Sequence, residues 1–211
     1  MQEKIRIIKE DSDVNSRLAQ FDATKNELHK IVHAVVAARN DAVFSDPINA
    51  AGMLGYIYGT RTLREIFMAK GWQIDRAENI ESVCSPDKSI KIIYQNVDSA
   101  ANPFRDPKAI SGKGPAAARM LSLATPYLFP EWEKERKSLI NSSVWFFCVS
   151  VDEDDVRAEL SCPISIEGGQ FGPFFERIFI VESGEWGTIN LSKGDLTDLE
   201  DQDFEVNVTR K

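Results

Sequence analysis

The chain has 211 residues, 43% of them hydrophobic and 27% charged, which is enough apolar material for a sizeable core in a single domain without staples. No apolar run is long enough to span a bilayer as a helix, and charges flank Ile5, Ile7 and Ile8 where a signal peptide needs an apolar region, which argues against a membrane span and leads to the expectation of a cytoplasmic setting. The net charge of −8 sits in the last third, where residues 144–211 carry 5 basic against 15 acidic side chains while residues 1–143 carry 20 against 18.

An acidic surface of that kind repels nucleic acid and anionic lipid. The expected partner is therefore a protein ahead of a nucleic acid, with no membrane, and the pattern is compatible with a homodimer. Mimicry of a polyanion would need acids with few bases along the whole chain, which the front part does not supply. Cys84, Cys148 and Cys162 are odd in number and widely spaced, which suits neither a disulfide framework nor a zinc knuckle and predicts buried or incidental thiols.

Taken in order, residues 14–40 predict a helix, because Leu28, Ile31, Val32, Val35, Val36 and Ala38 recur on one stripe, with Asp22 or Thr24 as its cap. After Ser45-Asp46-Pro47 a second helical pattern runs from Ile48 to Lys70 and stops at Gly71. Gly52, Gly55 and Gly59 fall on one side of it, which predicts close approach of a neighbour in a tight helix pair. Residues 72–85 are ambiguous. Ser89 to Val97 predicts a strand, 98–114 a long irregular segment, and Pro115 opens a helix that Pro126 ends. A short helix is expected from Pro130. Strands follow at Val144–Val151, Val156–Ile166, Phe174–Val181, Thr188–Leu191 and Phe204–Val208, a β-meander whose aromatic residues read as sheet core. On Phe174–Val181, Phe175 and Phe179 share one side and Ile178 and Ile180 the other, so both faces of that strand are expected to be covered. The acidic stretch Asp195 to Glu205 reads as partly disordered.

These elements describe one α+β domain over residues 1–211, with a helical part at about 1–143 and a meander at about 144–208. The helical N-terminal half is expected to pack on a mainly antiparallel sheet formed by the C-terminal third.

The strongest chemical feature is Ile110-Ser111-Gly112-Lys113-Gly114-Pro115, a glycine-flanked lysine at a helix entry, where backbone N–H groups and the helix dipole favour an anion. It is not a P-loop, since Pro107 and Gly114 stand where that motif needs glycine and Ser or Thr. Arg105, Lys108, Ser111, Lys113 and Arg119 form the candidate anion-binding set, for phosphate, a nucleotide or a nucleic-acid backbone. His29 and His33 lie at i and i+4 but lack a general-base Glu between them and a third histidine, and read as structural residues. Glu27 or Asp41 would complete at most a weak surface metal site.

Asp152, Glu153, Asp154 and Asp155 with Glu159 form an acid-rich hairpin, read as an exposed turn. No nucleophile elbow or Cys–His pairing is legible. The function this predicts is an accessory or binding protein without a catalytic centre or cofactor, working through its acidic C-terminal surface or the basic Gly/Pro-rich loop. The alternative is a metal-dependent phosphodiesterase acting on nucleic acid. There Asp98 and Glu159, or the 152–155 acids, would hold Mg²⁺ while Lys113 or Arg119 meets the phosphate.

Overall fold

A computed structural model describes residues 5–124, 143–152 and 155–188 of the chain. Among these residues a mixed sheet of seven strands is the centre of the molecule, in the order β1-β9-β6-β5-β4-β3-β2. The strands are β1 (Arg6–Ile8), β2 (Gln73–Asp75), β3 (Ser82–Cys84), β4 (Ile90–Asn96), β5 (Ser143–Asp152), β6 (Asp155–Pro163) and β9 (Phe174–Val181), with a small hairpin of β7 (Ile166–Glu167) and β8 (Gln170–Phe171) beside them. β4 lies parallel to β5 and β1 parallel to β9, while the other neighbours are antiparallel. The fold is α+β, with its helices concentrated in the N-terminal half.

The first helical stretch divides in two. α1 (Asp11–Leu18) runs into a 3₁₀ turn at Ala19–Phe21, and Asp22 takes the left-handed conformation at φ 53°. α2 (Lys25–Asn40) then starts afresh on a capping box, in which the Thr24 side chain accepts from the Glu27 backbone N–H and the Glu27 carboxylate accepts from the Thr24 N–H. The single apolar period hides this break because Val14, Leu18 and Phe21 before it and Leu28, Ile31 and Val32 after it are all buried. α3 (Ala50–Met68) ends in a turn that Gly71 closes at φ 84°.

The glycine side of α3 serves two neighbours. A Cβ on Gly55 would meet the Arg39 side chain of α2 at 3.0 Å, and one on Gly59 would reach 2.4 Å from the Tyr94 ring of β4. The predicted close helix pair is there, and the helix also admits an aromatic ring from the sheet.

The ambiguous residues 72–85 are the β2–β3 hairpin at one edge of the sheet. β4 joins the C-terminal strands along its whole length, Ile90 opposite Ser143 through Asn96 opposite Val149. α4 (Pro115–Ala124) lies in the connection between these parallel strands. Thr188, where a strand is expected to begin, instead ends a 3₁₀ turn at Trp186–Thr188. The helix expected from Pro130, the hairpin tip at 153–154, the remainder of 188–191, the strand 204–208 and the acidic stretch 195–205 lie outside the described residues.

The sheet separates two cores. On one side Ile92, Tyr94, Trp145, Phe147, Leu160, Ile178 and Ile180 pack with α1, α2 and α3. On the other, Ile93, Val144, Phe146 and Cys148 pack with Leu121 of α4 and with Val97 and Ala100 of the long connection. Phe179 and Ile178 are both buried, so most of β9 is covered on both faces, although Phe175 is half-exposed. All three cysteines are free, buried thiols. Among the described residues no helix is long and apolar enough to cross a membrane.

Candidate functional site

On the second face of the sheet, alternate residues of the central strands are polar and still buried. Gln95 on β4, Ser150 on β5, Glu159 and Ser161 on β6 and Arg177 on β9 are each at most 5% exposed. Inward-pointing polar groups in a sheet must find partners in whatever covers them. Here the cover is the irregular connection 97–114.

Glu159 and Arg177 form the anchor. The Arg177 Nε donates to Glu159 Oε1 at 2.9 Å and its Nη2 to Oε2 at 2.7 Å, a bidentate pair in which both side chains are sealed from water. The remaining lone pairs of the carboxylate accept from the Ser161 hydroxyl and the Ala101 backbone N–H, and Arg177 Nη1 reaches Asp106 Oδ1 at 3.1 Å. Burial disfavours the Arg177 cation, but Glu159 and Asp106 outweigh it and Arg177 holds its proton more strongly than usual.

The connection is tied at further points. Ser150 Oγ accepts from the Ala100 N–H at 3.0 Å, Gln170 exchanges two hydrogen bonds with the Ala109 backbone, and the Lys113 N–H donates to the Gly169 carbonyl at 2.7 Å. A long segment without regular structure is thereby fixed from end to end.

Lys113 is the exception to the charge pairing. Its ammonium donates to the Gln95 side-chain carbonyl and stands 5.2 Å from the centre of the Phe146 ring. Gln95 is itself fixed by donating to the Asn96 carbonyl at 2.8 Å. Burial pulls Lys113 down to about 8. By contrast Lys25, Lys70 and Lys91 each meet a carboxylate, of Asp11, Glu27 and Asp75 respectively.

Lys113 lines a cleft of about 260 Å³ together with Tyr56, Glu78, Ile80, Glu81, Tyr94, Gln95 and the first turn of α4. The two carboxylates there are already engaged, Glu78 by Arg119 at 2.7 Å and Glu81 by Arg64 and Arg76. Pro115 opens α4 without a backbone N–H to leave unpaired, and the next N–H, of Ala116, belongs to a residue that lines the cleft.

Of the five residues singled out from the sequence, Lys113 alone lines this cleft. Arg105 turns to Asp98 at 2.5 Å, and the Lys108 backbone N–H donates to the same carboxylate at 2.8 Å. Ser111 is exposed. Arg119 is spent on Glu78. The segment is thus a set of local pairs around one partly buried lysine. Asp98 and Glu159 both hold this connection, each through its own arginine.

The two histidines occupy separate environments. His29 Nε2 lies 3.2 Å from the Ile180 carbonyl, and the His33 ring stacks on Trp186 with centroids 4.4 Å apart. Burial lowers the pKa of both. Asp155 is bonded by Arg157, Ser183 and the Gly184 N–H.

The missed residue is Arg177. Its signal was available in Phe174-Phe175-Glu176-Arg177-Ile178-Phe179, where a cation interrupts an apolar strand and needs a buried acid within reach. Glu176, facing the other way, is also buried and takes Arg6 and Arg17. Comparison with family models, curated proteins and solved structures gives no match for this chain.

Proposed function

We propose that the chain is a binding protein and that the cleft beside Lys113 is its working site, taking a small anionic group. The observation that supports this reading is a partly buried ammonium whose contacts among the described residues, Gln95 and the Phe146 ring, are uncharged. Burying a cation without a counter-charge is unfavourable, and an anion in the cleft supplies the missing charge. The N-terminus of α4 adds a favourable dipole on the same side.

The charged and titratable groups facing Lys113 are Glu78, Glu81, Tyr56, Tyr94 and Cys148. Glu81 is kept ionised by Arg64 and Arg76, and burial pushes Tyr94 and Cys148 upward. Lys113 is then the group that changes charge near pH 8. Calorimetric titration with inorganic phosphate is expected to give binding that weakens as pH rises through about 8 and that Lys113→Met removes. Arg105→Ala is expected to leave it unchanged. Phosphate binding that survives Lys113→Met, or that vanishes with Arg105→Ala alone, overturns the assignment.

A further inference from the structure

We infer that the cleft takes small α-oxo acids and that Lys113 captures their carbonyl carbon as a reversible imine, an inference that rests on the cleft being the ligand site. Three features on the cleft wall carry it. The lysine nitrogen is placed at the wall by a fixed amide acceptor, Gln95, over the face of Phe146. No carboxylate among the described residues forms an ion pair with it, so its neutral, nucleophilic form is reached at lower pH than for lysines that hold an acid. The cleft volume of about 260 Å³ admits a molecule of a few heavy atoms beside the first turn of α4.

The ligand class follows from charge. A protonated imine made from a plain aldehyde leaves the same partly buried cation, unpaired among the described residues, that Lys113 is. An α-oxo acid brings a carboxylate on the neighbouring carbon, which neutralises that cation internally and has the Ala116 N–H of α4 within the same cleft.

The step balances without any further reactant. The neutral amine nitrogen forms a bond to the carbonyl carbon, and the C=O π pair moves to oxygen, giving a carbinolamine after proton transfer from nitrogen. Loss of that hydroxyl with a proton as water leaves C=N. Nothing is oxidised or reduced.

The test uses the full chain with glyoxylate and with pyruvate at pH 7.5 in the presence of cyanoborohydride, which fixes an imine as a stable secondary amine. Peptide mapping is expected to place the adduct on Lys113 at least about tenfold faster than on any other lysine, given how much more of a lysine near pH 8 is neutral. Labelling spread evenly over the lysines overturns the inference. Methyl pyruvate, which keeps the α-oxo carbon and carries no charge, is expected to label Lys113 at least about tenfold more slowly than pyruvate at equal concentration. Equal rates overturn the ligand class.

Lys113→Arg separates this inference from the binding reading, because it keeps the charge and loses the nucleophile. Phosphate titration of that variant, with its fold checked by circular dichroism, is expected to retain binding while the selective adduct disappears. Wild-type protein that binds phosphate with no selective adduct sinks the imine alone. Wild-type protein that binds no phosphate and forms no selective adduct sinks both.

Discussion

On β6 the neighbours Glu159 and Leu160 are equally hidden, at 0% and 1% exposed, and face opposite sides of the same sheet. Leu160 enters a core made of α1, α2 and α3 side chains, where hydrophobic contact is non-directional and tolerates modest repacking. Glu159 enters a surface where each polar group has a named partner, and where an irregular connection takes the place of a helix. The apolar face sets how stable the domain is. The polar face sets the path of the connection that ends at Lys113. Helices suit the first task because they satisfy their own backbone, whereas a covering loop must borrow partners from the sheet.

The largest expected effect tests that division. Glu159→Gln leaves buried Arg177 with only the half-exposed Asp106 carboxylate as counter-charge, and denaturant unfolding is expected to show a loss of about 3 kcal/mol. If the cost is that of an uncompensated charge, the double variant Glu159→Leu with Arg177→Met is expected to be more stable than Glu159→Leu alone. A double variant that is worse still means that the network itself, not charge balance, holds the connection.

A smaller effect is expected at the helix-covered face. Gly59→Ala forces a methyl against the Tyr94 ring and is expected to lose about 1–3 kcal/mol, read by the same unfolding curve. An unchanged midpoint means the ring is free to move aside, and the contact between α3 and β4 is looser than its geometry. The smallest change concerns how α2 begins. Thr24→Ala removes one half of the capping box and is expected to cost about 1 kcal/mol, with no effect on phosphate binding at the cleft. A loss of binding here means that the two faces are coupled.

Local rules made much of the fold legible. The apolar stripe of α2, the glycine that ends α3, Pro115 at the start of α4 and the apolar runs of β5, β6 and β9 are all short-range patterns, and each element formed close to where its pattern lies. What local patterns do not encode is pairing. Arg6–Ile8 is three residues long, and its place beside β9 depends on Arg6 and Arg17 meeting Glu176 more than 150 positions away. The parallel register of β4 and β5 is likewise invisible in either strand alone. At the candidate site the glycine-flanked Lys113 was legible, because turn chemistry at a helix entry is local. The closing of Arg105 on Asp98 and of Arg119 on Glu78 was not, since a cluster of bases in sequence says nothing about which acids the fold brings to it.

The pairing of β1 with β9 also orders events in time. Arg6 stands opposite Glu176 and Ile8 opposite Ile178, so the first of the described strands to be synthesised completes the sheet with the last. On the ribosome β1 and α1 must wait, with Ile8, Val14 and Leu18 uncovered on their sheet side, until residue 178 has left the exit tunnel. Contacts of such long sequence separation close slowly.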